Sequence, residues 1–331
     1  MSETKATMVP MEVVWVPSWL SWVGATTSCL RALGVECDQA EVAGLSGYAF
    51  ALSVHKELCP SGPTVVDWRT LGPGIEYLGR SAEAYVSGYC YGPNAPSFQG
   101  RAACHAVYGL VAGEVAEGRP CVIWGAYVPE FAVAIGVEDG AFLVKSYRER
   151  SGEPQPPIPC EDLQAPGGPY CLAFPAEKPA DRQAGDRYAI RRAVERLRGE
   201  SPAGDYGSGL AAYDVWIAAL EANRATPFGN AYNAGCYAEG RFLARKFLSR
   251  VARRNPDLAE PVGRAADAYD EAADAMGQVA TLFPFPHGGR IGEESVRAKA
   301  IEHLRAAKAA ETRAAEALAE ACAASGDADA P

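Results

Sequence analysis

Beyond residue 187 the apolar positions step by three and four, whereas before it they mostly alternate or run together. That change of period divides the chain, because a helix buries every third or fourth residue and a half-buried strand every second. Val262, Ala265, Tyr269, Ala272, Met276 and Val279 form one helical stripe, and Ile301, Leu304, Ala307, Ala310, Ala314 and Leu318 form another. Leu210, Tyr213, Ile217 and Leu220 mark a third helix, and Phe242, Leu243, Phe247 and Val251 a fourth. With residues 187–199 the pattern predicts five helices, and stripes of this kind are those of a packed bundle.

The earlier part reads differently. MEVVWV (11–16) alternates as a strand, and a helix follows from Ser18 or Ser21 to Leu33, ended by Gly34. Asp38 is placed to cap a second short helix through Leu45. GYAFALSV (47–54) is β-rich, CPSGPT (59–64) has loop chemistry, and a short helix is expected near residues 69–78. A strand in AEAYVSGY (82–89) and a helix over 98–117 come next. Three strand-like runs follow in CVIWGAYV (121–128), FAVAIGV (131–137) and AFLVKSY (141–147), with another in YCLAF (170–174). The Asp139-Gly140 pair between the second and third runs is a hairpin signal. Helices first and an antiparallel sheet afterwards predict an α+β domain, not the alternation of a dinucleotide-binding fold. The polar segment 175–187 sets the expected boundary: an α+β domain over 1–178, an all-α bundle over 187–325, and a disordered tail over 326–331.

Charge and cysteine content narrow the function classes. A formal charge of −10 argues against a nucleic-acid or anionic-membrane binder, since both attract basic surfaces. No stretch reaches the roughly 18 apolar residues of a membrane helix. Pro10, Glu12 and Pro17 interrupt the early apolar run, which is unlike a secretory signal. The ten cysteines are scattered without a CxxC pair, so free thiols in a reducing, cytoplasmic setting are expected.

Several segments of the first domain together resemble a known family: LRALG (30–34), the acidic second helix, GLSGYAF (44–50), GRPCVIWG (118–125), and the hairpin PEFAVAIGVEDGAFLV (129–144). The chain resembles, over about residues 10–175, the N-terminal domain of the butirosin biosynthesis protein H (BtrH) family, of the papain-like, double-glycine-peptidase type. The resemblance implies a papain-like fold and acyl transfer from carrier-bound acyl groups. In such enzymes a cysteine at the start of the first long helix is the nucleophile, a histidine of the later hairpin its base, and an Asp or Asn on the next strand orients the histidine. Counted from Gly34 and Gly136, those positions fall on Ser21, on Glu130 (or Phe131 with a one-residue slip) and near Ser146. All three family residues are absent, and a serine without an imidazole to take its proton is a poor nucleophile. The expectation is a lost triad and a cleft between the domains that binds a small amine- or acyl-containing molecule.

Other residues offer alternatives. His55 and Cys59 flank the CPSGPT loop and could act as base and nucleophile of an acyltransferase or amide hydrolase, or be a half-exposed strand histidine and a structural thiol. Tyr48, Trp68, Trp124 and Tyr127 could wall a pocket, although most aromatics of this region must be core. In the bundle Asn233, Tyr237 and Arg241 share a helix face and could meet the first domain, with Arg241 on a carboxylate or phosphate. Cys104-His105 and Cys29 read as packing, and Asp267, Asp270, Glu271 and Asp274 as a solvated face. His287 and Arg290 lie in a Pro/Gly connector. No ligand set for a metal and no cofactor motif is recognisable. The partners expected are a small-molecule ligand, a carrier-bound acyl donor in the enzymatic alternative, and a second copy through the bundle if the protein is a scaffold.

Overall fold

The computed structural model describes residues 6–86, 101–199 and 204–324. In chain order its elements are β1 (Thr7–Met8), α1 (Ser21–Ala32), α2 (Gln39–Leu45), β2 (Ser53–His55), β3 (Glu83–Val86) and α3 (Arg101–Ala116). There follow β4 (Cys121–Trp124), β5 (Phe131–Glu138), β6 (Ala141–Lys145), α4 (Arg148–Ser151), β7 (Ile158–Pro159) and β8 (Tyr170–Ala173). The remainder is α5 (Arg182–Arg198), β9 (Tyr206–Ser208), α6 (Ala211–Glu221), α7 (Pro227–Arg254), α8 (Ala259–Leu282) and α9 (Glu294–Ala324). Helices and an antiparallel sheet are thus followed by a helical C-terminal region. The tail 326–331, residues 87–89 of the expected strand and residues 98–100 of the expected helix lie outside the described residues.

Contacts divide the chain into two compact units, one of residues 1–42 and 67–181, the other of 43–66 and 182–331. The second division falls between Asp181 and Arg182. The assignment of all of 1–178 to one domain is corrected: Ala43–Val66 packs with the helical region, and the first division falls inside α2. Hydrophobic periodicity could not reveal this, because it reports that a face is buried and not against what.

The first unit is built on one antiparallel sheet of order β3-β8-β4-β5-β6-β7, with β1 also pairing β5. Every residue of β4 is buried, so both faces of the sheet are covered, as for strands that read as continuous apolar runs. Helix α1 packs on β4 and β5, and α3 on β5, β8, β4 and β1. α1 ends as its sequence dictates: Gly34 takes φ +79°, its N–H reaches Arg31 O at 3.0 Å, and Val35 N reaches Leu30 O at 2.9 Å. Asp38 Oδ1 accepts from Glu41 N at 3.1 Å and caps α2. Asp139 (φ +48°) and Gly140 (φ +82°) form the two-residue turn between β5 and β6, where Glu138 faces Ala141.

Three expectations are corrected here. MEVVWV is not a strand of the sheet; Val13 and Trp15 are buried in alternation, but Pro10 and Pro17 bound the segment and it runs against α1 instead. Val16 N donates to Ser28 Oγ at 2.9 Å, and a Cβ on Gly24 would stand 2.3 Å from Val16 O. GYAFALSV holds a 3-10 turn (Tyr48–Phe50) before the short β2, and residues 69–78 form two 3-10 stretches, Trp68–Thr70 and Pro73–Leu78, in a segment rich in Gly and Pro.

In the second unit α8 packs against α7 and α9, and α5 and α6 pack against α9. The stripes of α8 and α9 are the core: Val262, Tyr269, Met276, Val279, Leu304, Ala310 and Leu318 are fully buried. Phe242 departs from its expected stripe and is 40 % exposed. β2 pairs antiparallel with β9, with His55 opposite Tyr206. Leu52, Val54 and Leu58 thereby enter the same core as Trp216, Tyr237 and Met276.

Candidate functional site

Helix α1 begins at Ser21 without a side-chain cap, so the hydroxyl of Ser21 is left to serve another element. It donates to the Glu130 carboxylate and accepts from Phe131 N at 3.1 Å. Glu130 stands immediately before β5, at the end of a tight loop closed by Gly125 N to Glu130 O at 2.9 Å. Gly125 has φ +92°, and a Cβ there would stand 2.7 Å from the Gln164 backbone. Tyr127, in the same loop, holds φ +68°, donates to Pro156 O at 2.8 Å and carries the Arg148 guanidinium 3.8 Å from its ring centre. Ser21 and Glu130 are thus held by the start of a helix and the start of a strand, both rigid elements.

Ser146 does not join them. It is fully buried just beyond β6, donates to Gln155 Oε1 at 2.7 Å and accepts from Arg148 N at 3.3 Å, so its hydroxyl closes the turn around α4. Two of the three positions counted from Gly34 and Gly136 meet, and the third is a structural serine.

The aromatic candidates Trp68 and Trp124 form core with Phe131 and Tyr170, the ring centres of Trp68 lying 4.9 to 5.3 Å from the other three. Trp22 Nε1 donates to Tyr170 OH at 3.0 Å, and Trp124 Nε1 to Pro166 O at 3.2 Å. Phe131, whose amide holds Ser21, is itself a member of this cluster. Tyr48 is buried in the second unit and donates to Pro63 O at 2.7 Å. As pocket walls, Tyr48, Trp68 and Trp124 are corrected to packing residues.

Cys59 and His55 lie in the second unit, and among the described residues no hydrogen bond joins them. His55 Nδ1 accepts from Glu57 N at 3.2 Å, and its ring packs on Tyr206 at 5.0 Å. Cys59 Sγ accepts from Ser61 Oγ at 3.0 Å, and that hydroxyl also bonds Tyr206 OH at 2.7 Å. Asn233, Tyr237 and Arg241 do share a face of α7, but it is turned to residues 51–62 of their own unit. Asn233 Nδ2 donates to Cys59 O at 2.9 Å, and Tyr237 OH bonds both Ser53 N and Ser53 O. Arg241 donates from Nη1 to Ala51 O at 2.9 Å and from Nε and Nη2 to Glu311, the two charges being 0 % and 1 % exposed. Tyr213 OH donates to the same carboxylate at 2.7 Å. These residues are the clamp of an inserted segment. Glu311 was missed by sequence reading, although an acid between Ala310 and Ala314 on a buried stripe was the available signal.

Burial pushes the Cys29 and Cys160 thiols up, while hydrogen bonding to Cys171 is the main cause of the rise at Cys121, followed by burial. Such thiols are inert at neutral pH. His105 is exposed on α3, beside the half-buried Cys104. His287 is exposed in the α8–α9 connector, and Arg290 pairs with Glu293. Among the described residues no cluster of three or more His, Cys, Asp or Glu could hold a metal ion, and no helix is long and apolar enough to cross a membrane. No protein-family model matches this chain, and no curated protein matches it significantly.

Proposed function

We propose that the first unit is a papain-like domain of the BtrH type whose cysteine-peptidase chemistry has been replaced by small-molecule binding, the ligand carrying an amine that meets Glu130. The observation that carries this reading is the Ser21–Glu130 contact at the starts of α1 and β5, with the amide of Phe131 on the same hydroxyl. In that arrangement the proton of Ser21 is directed at a carboxylate and its lone pair at an amide. A carboxylate is a weak base for activating a hydroxyl at neutral pH, and among the described residues no imidazole stands beside Ser21 to take its proton. The same carboxylate is a strong partner for an ammonium group, since charge-assisted hydrogen bonds are about twice as strong as neutral ones.

The test is a thermal-shift screen of amines and acyl-amines, followed by calorimetric titration of wild type, Ser21→Ala and Glu130→Gln. Ser21→Ala should keep ligand affinity within a few-fold, and Glu130→Gln should weaken a cationic ligand about tenfold or more, a loss of ~1.4 kcal/mol or more. Turnover of an ester or thioester that disappears in Ser21→Ala would overturn the reading. Turnover that disappears in Cys59→Ser instead would replace it with acyl transfer through the relocated thiol.

A further inference from the structure

Cys104 on α3 and Cys160 in the turn Cys160–Asp162 stand 56 residues apart in sequence, and both belong to the first unit. Helix α3 packs on that turn. Each thiol meets the other residue's backbone: Cys160 Sγ donates to Cys104 O at 2.9 Å, and Cys104 Sγ to Cys160 O at 3.4 Å. A thiol is a weak donor, so the reciprocal contact adds little stability. Its consequence is positional, because two side chains that reach each other's carbonyls share one small space. Burial, and then the Cys104 thiol beside it, push the Cys160 thiol up. Cys104 is half-buried and Cys160 is buried, so the pair has one member open to solvent and one sheltered behind it. Cys29, Cys121 and Cys171 make a second group, in which Cys121 is hydrogen-bonded to Cys171, but all three are buried.

We propose that Cys104 and Cys160 are a peroxide-oxidised modification site that closes to a reversible disulfide. The sulfur of Cys104 attacks one oxygen of hydrogen peroxide and breaks the O–O bond; Cys104 becomes a sulfenic acid, and the other oxygen leaves as water with the thiol proton. The Cys160 sulfur then attacks the Cys104 sulfur, the S–O bond breaks, and the hydroxyl leaves as a second water with the Cys160 proton. Two thiols have lost two electrons and two hydrogens, and one peroxide has become two waters. Cys160 is inert toward reagents in solution, and the electrophile it can meet is the one formed on Cys104, at a contact distance that makes the second step intramolecular. The bond would tie α3 to the segment whose Gln164 N donates to Gly125 O at 2.7 Å. The site stands independently of the Ser21–Glu130 reading.

The experiment is exposure of the reduced full chain to hydrogen peroxide, then alkylation in denaturant, proteolysis without reductant and peptide mass spectrometry. A linked Cys104–Cys160 peptide is expected, lost again on treatment with dithiothreitol, while Cys29, Cys121 and Cys171 are recovered alkylated. Closing a loop of this length should raise the melting temperature by about 5 °C or more. In Cys160→Ser, and in Cys160→Ala as a second variant, a 1,3-diketone should trap the sulfenic acid on Cys104. Cys104→Ser changes a half-buried position and should leave Cys160 reduced. Absence of the linked peptide from wild type, linkage of either residue to a different cysteine, or a linked form no more stable than the reduced one would each overturn the proposal.

Discussion

Replacing Arg241 by Met tests whether the ion pair in the bundle clamps residues 43–66 onto it. Arg241 and Glu311 are buried, and the guanidinium also serves Ala51 O, a residue of the inserted segment. Arg241→Met leaves the carboxylate with only the Tyr213 hydroxyl and the Ala51 carbonyl without its donor. Removing one partner of a buried pair costs about 3–5 kcal/mol, because the remaining charge is uncompensated. For a unit of this size the corresponding fall in melting temperature is roughly 10 °C. The assay is urea unfolding followed by helical circular dichroism, on wild type, Arg241→Met, Glu311→Met and the double variant. The double variant should regain most of the loss, since well-packed apolar replacements of a buried pair are often neutral. A residual of about 1–2 kcal/mol is expected from the unpaired Ala51 carbonyl and Tyr213 hydroxyl. A double variant no more stable than Arg241→Met would refute the argument that the stranded charge is what destabilises.

Three further outcomes follow from packing and titration. A Cβ on Gly44 would stand 2.1 Å from the ring of the fully buried Phe247, so Gly44→Ala should lose about 1–3 kcal/mol despite alanine's better helix propensity. Gly263→Ala, in open space within α8, should instead gain about 0.5–1 kcal/mol; denaturant midpoints check both, and a stable Gly44→Ala would contradict the close approach. Burial pushes the phenols of Tyr213, Tyr237 and Tyr269 up, so the folded state keeps protons that the unfolded chain releases near pH ~10. Their contribution to stability is present below that pH and is lost as the pH rises beyond it. Phenolate absorbance followed with circular dichroism should show the three ionising only with unfolding, and their ionisation in an intact helical fold would contradict their burial.

What local chemistry decides was readable from the chain. Gly34 ends α1 because only a residue without Cβ takes that φ freely, Asp38 caps α2 through its own side chain, and Asp139-Gly140 adopts a turn that few dipeptides tolerate. The stripes of α8 and α9 are equally local, since a one-sided apolar surface forces burial whatever the partner. The identity of the partner is not local. MEVVWV alternates as a strand would, yet it lies along α1, because burial with period two requires an extended chain and not a ladder. Ala43–Val66 begins inside α2 but packs with helices that begin at residue 182, so the polar face of Asn233, Tyr237 and Arg241 meets that segment and Glu311. Counting from Gly34 and Gly136 put Ser21 and Glu130 at matching positions; their contact across 109 residues is decided by how α1 packs on β5. Sequence determined which faces are buried and where elements stop, because those follow from residues a few positions apart. Tertiary structure alone decided which buried faces meet, because that depends on shape and charge complementarity between segments distant in the chain.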